Sequence, residues 1–201
     1  HDGVSLERFG QVVEKNEARR QLGLDMHKSI ALYAGTVRKL KGLDYLIEAA
    51  VILPEVVFLL VGPVGEEYQN QTYNSNIKFL GKKEQKDLPI LLQAADVLII
   101  PHPKGEYSQS PMKLFEYMAS RTPIVASRLP SISEVLNSEN ATLVEPESGE
   151  AIVRGIERVL GDAHHSQAIA ERAYEDVQNY TWEKRGIAIA EFINKLTNRL
   201  K

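Results

Sequence analysis

The sequence predicts an α/β protein: a Rossmann-like, three-layer parallel sheet of about six strands, with helices on both faces and extra helices at the C-terminus. Three observations predict it. Short apolar runs recur up to Val144, they are continuous rather than alternating in polarity, and helical patterns separate them. Continuous apolar runs are typical of strands buried on both faces. Strands that alternate with helices favour parallel pairing.

The apolar runs and the patterns between them give the predicted elements. The strands are residues 30–34, 56–61, 77–80, 97–100, 124–126 and 142–144. The helices between them are residues 43–53, 88–95, 112–120 and 132–136. In the first helix, the predicted buried stripe consists of Leu43, Leu46, Ile47, Ala50 and Val51.

The last third of the chain changes character, because helical patterns follow one another there without a strand. We predict helices over residues 149–160, 167–179 and 182–200, with Thr181 as the N-cap of the last one. The length of the chain favours one domain over residues 1–201. The polar residues 14–26 are predicted to be a linker. The terminal helix is expected to pack toward a further domain.

Composition excludes several classes of protein. The net charge is −3, so no general basic field for nucleic acid is expected. There is no cysteine, which excludes disulfides and thiolate metal sites and fits a reducing compartment. The sequence contains no run of about 18 apolar residues, so it predicts no transmembrane helix. The first residues lack a signal-peptide core and an initiator methionine, so we expect a cytoplasmic location and a fragment of a longer chain.

Ligands of open parallel sheets bind at the carboxyl ends of the strands, and this rule selects particular loops. The loop after the first strand, residues 35–42, has glycine at both ends and carries Arg38, Lys39 and Lys41. The loops after the next three strands are residues 62–66, 81–83 and 101–106.

The last of these loops leads into the segment SPMKLFEYMA, whose first residues are Ser110 and Pro111. Proline favours the first turn of a helix, and the unpaired amides there suit a phosphate. Arg38, Lys41 and Lys113 could add full positive charges. Glu116 could accept hydrogen bonds from the vicinal hydroxyls of a ribose. Together these groups predict a site for a nucleoside diphosphate.

Each feature also has an ordinary structural interpretation. A lysine and glycine after a strand usually form a solvated turn, Ser-Pro often only starts a helix, and a helical glutamate usually faces solvent. The apolar neighbours of Glu116 make full exposure less expected. His164 and His165 have no partner cluster for a metal. No G-x-G-x-x-G or G-x-x-x-x-G-K-[ST] motif occurs, which counts against a generic NAD site and a P-loop.

Five blocks, in order and at characteristic spacing, make the chain similar to a known family. They are DGVSLERF (2–9), YAG to KG (33–42), ADV to Pro101 (95–101), LFEYMA (114–119) and PIVAS (123–127). The chain resembles the C-terminal domain of GT-B-fold retaining glycosyltransferases, called group 1 or family four. The resemblance implies a domain that binds a nucleoside-diphosphate sugar and works with an N-terminal acceptor domain. No D-x-D motif occurs at a strand end, so a metal-independent mechanism fits and no cofactor is expected.

The resemblance also implies roles for residues. Glu116 would hold the ribose, Lys41 would neutralise the donor diphosphate, and Ser108 falls on the family's first catalytic glutamate. The implied catalytic residues are Lys41, Ser108 and Glu116. The implied donor-binding residues are Gly35, Thr36, Arg38, Lys41, Gly62, Gly81, Lys82, Pro101, Ser110, Pro111, Met112, Lys113, Leu114 and Glu116.

Three positions depart from the family pattern. Ser108 replaces a glutamate, for which Glu106 is a nearby substitute. Thr36 replaces an arginine, for which Arg38 is a candidate, and Arg121 replaces a glycine. Lys113 is a candidate compensating ligand for phosphate or sugar. Ser108 and Thr36 keep a degenerate, non-catalytic domain open as an alternative, and a nucleotide-sugar epimerase stays open because it would share the donor pocket. A peripheral membrane association of the full enzyme also stays open.

Overall fold

The computed structural model describes residues 2–10, 12–105 and 112–199. The strands in these ranges are β1 (Ile30–Ala34), β2 (Val57–Val61), β3 (Ile77–Gly81), β4 (Val97–Ile100), β5 (Ile124–Ser127) and β6 (Thr142–Val144). The helices are α1 (Lys15–Leu22), α2 (Leu43–Ile52), α3 (Leu88–Gln93), α4 (Met112–Ala119), α5 (Pro130–Ser133), α6 (Gly149–Gly161), α7 (Ala163–Val177) and α8 (Trp182–Arg199). Short 3₁₀ helices include Leu6–Phe9, Lys39–Lys41 and Gln85–Asp87.

The strands form one parallel sheet in the order β3-β2-β1-β4-β5-β6. β1 lies at its centre, pairing with β2 on one side and with β4 on the other. The strand order therefore reverses between β1 and β4. This arrangement confirms the predicted six-stranded, Rossmann-like α/β fold.

Two apolar cores, one on each face of the sheet, explain why the strand sequences are continuously apolar. In β1, Ile30 and Leu32 belong to the core covered by α3, α4 and α7, whereas Ala31 and Tyr33 belong to the core under α2 and α6. Alternate side chains point to opposite faces, so burial on both faces requires apolar residues at every position. Each fully buried large aliphatic side chain contributes about 1.5–3 kcal/mol.

The predicted linker at residues 14–26 is wrong, because α1 lies within it. The Glu14 side chain caps the helix by accepting hydrogen bonds from the amides of Asn16 (2.9 Å) and Glu17 (3.2 Å), and Gly23 ends it at φ 64°. The helix buries Ala18 and Arg19. Its apolar pattern is too weak to show in the sequence, because its inward face carries a charge that finds partners elsewhere in the fold.

Several predicted helix details also differ from the structure. Val51 is 55% exposed, while Ala49 is buried in its place on the inner face of α2. The helix predicted at residues 132–136 is instead the short α5, which starts two residues earlier at Pro130. The helix predicted at 167–179 starts at Ala163, because the Asp162 side chain accepts a hydrogen bond from the His165 amide at 3.0 Å.

The terminal helix α8 is joined to the N-terminal segment. The Val4 amide donates to the Tyr180 carbonyl at 2.9 Å, and Arg185 pairs with Asp2 at 2.5 Å. The predicted N-cap is confirmed, since the Thr181 hydroxyl accepts from the Lys184 amide at 3.2 Å. α8 carries exposed apolar side chains, among them Phe192 at 63%. In the described part of the chain, no helix has the length and apolarity needed to cross a membrane.

Candidate functional site

The reversal of strand order between β1 and β4 creates a crevice at the carboxyl edge of the sheet. The chain leaves β1 through the loop at residues 35–42 toward α2, on one face. After β4 it runs through residues 101–105, and it re-enters the described structure at α4 on the other face. In open α/β sheets, such a crevice is where ligands bind. The topology thus places two of the predicted loops on either side of one candidate site.

Close contacts between backbones build one wall of the crevice. The Val37 amide donates to the Pro63 carbonyl at 2.9 Å, so the loops after β1 and β2 are paired. A Cβ atom on Gly62 (φ 139°) would lie 2.0 Å from the Gly35 carbonyl oxygen, and one on Gly42 (φ 78°) would lie 1.7 Å from that of Pro101. Only glycine fits these two positions, which explains part of the glycine pattern in the loops.

Lys113, in the first turn of α4, is a buried cation of the site. Its Nζ atom is buried, lies 3.9 Å from the centroid of the Tyr33 ring, and has no hydrogen-bond partner among the described residues. Burial first, and then the positive charge of Lys41, lowers the pKa of Lys113 to about 7, while Glu116 acts in the opposite direction. A buried ammonium group without an anionic partner is costly, so the site favours an anion at this point.

Lys41 and His102 interact electrostatically with Lys113. The charge of Lys41 lowers the pKa of both Lys113 and His102, so the three groups are electrostatically coupled. His102 is 5% exposed. Burial, followed by the charges of Lys113 and Lys41, lowers its pKa to about 3, so its imidazole is neutral at pH 7. The sequence placed His102 directly after a strand end, but sequence reasoning gave it no role.

Glu116 lies one turn beyond Lys113, and its side chain is only 20% exposed. The expectation that Glu116 is not fully exposed is therefore confirmed. Burial raises the pKa of its carboxyl group, while Arg8 and Lys113 act in the opposite direction. Arg8 Nη1 lies 3.3 Å from Glu116 Oε1. Sequence reasoning missed Arg8, which lies more than a hundred residues away in the chain, although it belongs to the first block of the family resemblance.

The remaining predicted residues lie in several loops at the carboxyl ends of the strands. Thr36 and Arg38 are exposed, and the Thr36 carbonyl accepts a hydrogen bond from the Tyr33 hydroxyl at 2.9 Å. Gly81 ends β3, and Lys82 beside it is exposed.

At the beginning of α4, Met112 is 53% exposed, in keeping with a position at the crevice. Leu114 is completely buried in the apolar core, so only its backbone is left for a ligand. Three of the predicted site residues, Ser108, Ser110 and Pro111, lie outside the described residues, as does the candidate substitute Glu106. Their assigned roles stay predictions.

Metal binding is the remaining chemical possibility for the site. Within residues 2–10, 12–105 and 112–199, no group of three or more His, Asp or Glu side chains is arranged to hold a metal ion. The sequence-based expectation that neither a metal nor another cofactor is needed stays a prediction.

The fold and the crevice define an α/β domain with a candidate anion site at its topological switch point. The family model described as "Glycosyl transferases group 1" matches residues 14–176. The chain therefore belongs to the group 1 glycosyltransferases.

Relatives in several organisms support this assignment. The chain is 29% identical over 181 residues to an uncharacterized glycosyltransferase of Methanocaldococcus jannaschii, which covers 85% of this chain and 46% of that protein. It is 26% identical over 214 residues to the D-inositol 3-phosphate glycosyltransferase of Corynebacterium urealyticum, covering 96% of this chain and 50% of that protein. The putative teichuronic acid biosynthesis glycosyltransferase TuaC of Bacillus subtilis is 29% identical to this chain, and the match covers 88% of this chain and 44% of that protein. The chain thus spans about half the length of the curated relatives it matches.

Solved structures share the fold. Sucrose-phosphate synthase from Thermosynechococcus elongatus superposes with a TM-score of 0.82 at 24% identity, over 98% of this chain and 52% of that one. Anabaena Alr3699/HepE, solved in complex with UDP, superposes with a TM-score of 0.83 at 21% identity, over 96% of this chain and 56% of that one. The C-terminal domain of the group 1 protein LpcC from Francisella tularensis gives 0.75 at 21% identity, over 90% of this chain and 100% of that domain.

Proposed function

We propose that this chain is the donor-binding, C-terminal domain of a two-domain GT-B glycosyltransferase, and that its crevice binds a nucleoside-diphosphate sugar. The observation that carries the proposal is the buried ammonium group of Lys113 at the switch point, which has no hydrogen-bond partner among the described residues and feels the positive charge of Lys41. Within the described residues neither cation forms an ion pair, and two such cations suit a ligand with two adjacent phosphates. The match to a structure solved with UDP supports the same ligand class.

Different residues bind different parts of the donor. Lys41, Lys113 and the first amides of α4 bind the diphosphate, because a helix N-terminus and fixed cations both favour negative charge. Glu116 accepts hydrogen bonds from the ribose hydroxyls. The loop at Gly81 and Lys82 lies at the end of β3, the edge strand next to β2, and borders the base. Catalytic roles for Lys41, Glu116 and Ser108 belong to this proposal.

The chemical step depends on the leaving group. When the glycosidic bond to phosphate breaks, negative charge accumulates on the departing nucleoside diphosphate. Cations fixed before the reaction stabilise that charge more strongly in the transition state than in the ground state. We extend the proposal to a retaining, metal-independent transfer. The teichuronic acid relative and a structural match to WaaG, a glycosyltransferase involved in lipopolysaccharide biosynthesis, support a glycan or lipid-linked acceptor.

The rest of the enzyme is also part of the proposal. An N-terminal domain carries the acceptor site, and the exposed apolar side chains of α8, including Ile187 and Phe192, pack toward it. A nucleotide-sugar donor favours a cytoplasmic location of the whole protein, and peripheral association with a membrane stays a prediction.

Calorimetric titration of this chain with UDP, GDP, ADP and TDP tests the proposal. We expect one nucleotide to bind, and Lys41→Ala to weaken its binding by about 1.5–3 kcal/mol, the usual contribution of a hydrogen bond to a charged group. Lys28→Ala is the matched control, because Lys28 is exposed at the opposite edge of the sheet, two residues before β1. Failure of the folded chain to bind any of the four nucleotides would contradict the proposal.

A further inference from the structure

Arg8 is held at the edge of the crevice by its own segment. It lies in the 3₁₀ helix Leu6–Phe9, next to Phe9, which is 2% exposed and packs in the core on the α4 face. A few residues earlier, Val4 pairs with the chain before α8. The backbone that carries Arg8 is therefore fixed at both ends of this short segment, and its side chain reaches the crevice from a defined position.

The guanidinium group of Arg8 connects three separate segments. Nη1 donates to Glu116 Oε1 of α4 at 3.3 Å, and Nη2 donates to the Gln85 carbonyl at 3.0 Å. Gln85 lies in the connection after β3, close to the loop proposed to border the base. The side chains of Arg8 and Glu116 are 31% and 20% exposed. An ion pair at this depth is less screened by solvent than a pair on the open surface.

The contact leaves half of the carboxylate unused. Among the described residues, Arg8 binds Oε1 of Glu116, and no hydrogen bond reaches Oε2. An ionised carboxylate can accept several hydrogen bonds, so Oε2 keeps its full acceptor capacity. A hydroxyl group at this position would bind an oxygen whose orientation is already fixed, which lowers the entropic cost of binding.

The charges around Glu116 act in opposite directions. Burial favours its neutral form, whereas the positive charges of Arg8 and Lys113 favour the carboxylate. Tyr117, the next residue, is buried, and its raised pKa keeps it neutral. Loss of Arg8 would remove a hydrogen bond and a positive charge at once. The carboxyl group would then turn freely, and its pKa would rise further.

We propose that Arg8 is a positioning residue for ribose recognition: it fixes one oxygen of Glu116 so that the other accepts from the ribose hydroxyls. The site therefore distinguishes ribonucleotides from 2′-deoxyribonucleotides. The inference rests on the proposed function, since it assumes that a nucleoside diphosphate occupies the crevice. A purely structural role for Arg8, tying the N-terminal segment to the domain, would lower stability without changing that discrimination.

The test compares nucleotide affinities in matched variants. For the nucleoside diphosphate that binds the wild-type chain, we measure the affinities of the ribo and 2′-deoxy forms in wild type, Arg8→Gln, Arg8→Lys and the control Arg20→Gln. Arg20 is a suitable control, because it pairs with Glu17 on the exposed surface of α1. We expect a roughly tenfold preference for the ribo form in wild type, as an unsatisfied polar group in the deoxy complex implies.

The expected result in Arg8→Gln is a preference of about threefold or less, with Arg8→Lys in between and Arg20→Gln unchanged. The pH profile supplies a second readout. Because the pKa of Glu116 rises when Arg8 is lost, ribonucleotide affinity in Arg8→Gln should begin to fall at a higher pH than in wild type as the solution is acidified. The ribo preference is the readout that separates positioning from a purely structural role, because loss of the Arg8 charge raises the pKa of Glu116 in either case.

The outcomes separate the two claims. If the folded wild-type chain binds no nucleotide, the proposed function fails and the inference falls with it. If wild type binds but Arg8→Gln keeps the ribo preference and the pH profile, only the inference is overturned. Tighter nucleotide binding by Arg8→Gln would also overturn it, because Arg8 would then occupy the space of the ribose. Circular dichroism shows whether each variant is folded, and Arg8→Lys keeps the test valid if Arg8→Gln is not.

Discussion

The amino and carboxyl edges of the sheet differ in whether their buried charges are paired within the described structure. At the amino edge, Asp96 accepts hydrogen bonds from Lys15 Nζ at 2.7 Å, from Arg19 Nη2 at 2.5 Å and from the Ile30 amide at 2.8 Å. At the carboxyl edge, Lys113 Nζ is buried and has no hydrogen-bond partner among the described residues.

The network at the amino edge is closed by Arg19, which is 3% exposed. Besides Asp96, it donates through Nε to the Ala94 carbonyl at 2.9 Å and through Nη1 to that of Lys28 at 3.1 Å. These contacts join α1 to the starts of β1 and β4. A buried charge whose partners belong to the protein holds structure together, whereas a buried charge without one leaves its partner to be supplied by a ligand.

Asp96→Ala should produce the largest effect. It leaves the buried guanidinium of Arg19 without its carboxylate, and breaking a buried pair in this way typically costs about 3–5 kcal/mol of stability. Denaturant unfolding followed by circular dichroism measures the loss. Nucleotide affinity of the folded variant should stay within about twofold of wild type, since additivity holds for distant sites. A stability loss below about 1 kcal/mol would show that the two edges do not differ as described.

Lys113→Met should have the opposite pattern, with equal or higher stability and nucleotide affinity at least about tenfold lower. In the folded chain the pKa of Lys113 is about 7, whereas an unperturbed lysine titrates near 10.4. Between these values the unfolded state binds more protons, so this group makes wild-type stability rise with pH.

Urea unfolding at pH 7 and pH 9 measures this dependence. In Lys113→Met, the part of the slope due to this group, at most about 1.4 kcal/mol per pH unit, should disappear. Lys28→Met is the matched control and should keep it. An equal pH dependence in wild type and Lys113→Met would contradict a buried ammonium group without a partner.

Proton uptake on ligand binding should be the smallest effect. At pH 8 the free site holds Lys113 mainly neutral, since its pKa is about 7. A bound diphosphate favours the charged form, against the repulsion from Lys41 and together with the attraction of Glu116, while His102 and Tyr33 remain neutral. Calorimetry in buffers of different ionisation enthalpy should show up to about one proton taken up in wild type and less in Lys113→Met. Identical uptake in both would assign the proton to another group.

The sheet was predictable because its signal is local. The predicted β1, β4 and β6 match the structure from end to end, and the others differ by one residue at most. A strand buried on both faces must be apolar at every position, so its limits show directly in the sequence. α1 was missed for the opposite reason. Its inward face carries Arg19, which is buried only because its guanidinium group donates a hydrogen bond to the carboxylate of Asp96, 77 positions later in the chain.

The candidate site divides in the same way. The sequence by itself determined that glycine-bounded loops follow the strands, and that Lys113 and Glu116 lie one turn apart on a helix beginning near such a loop. These are properties of neighbouring residues. Only the tertiary structure decided that Lys113 lies over the ring of Tyr33 with no hydrogen-bond partner among the described residues. It also decided that Lys41 and His102 interact electrostatically with Lys113 and that Arg8 binds Glu116. Burial and electrostatic coupling depend on groups that only the folded sheet brings within a few ångströms of one another.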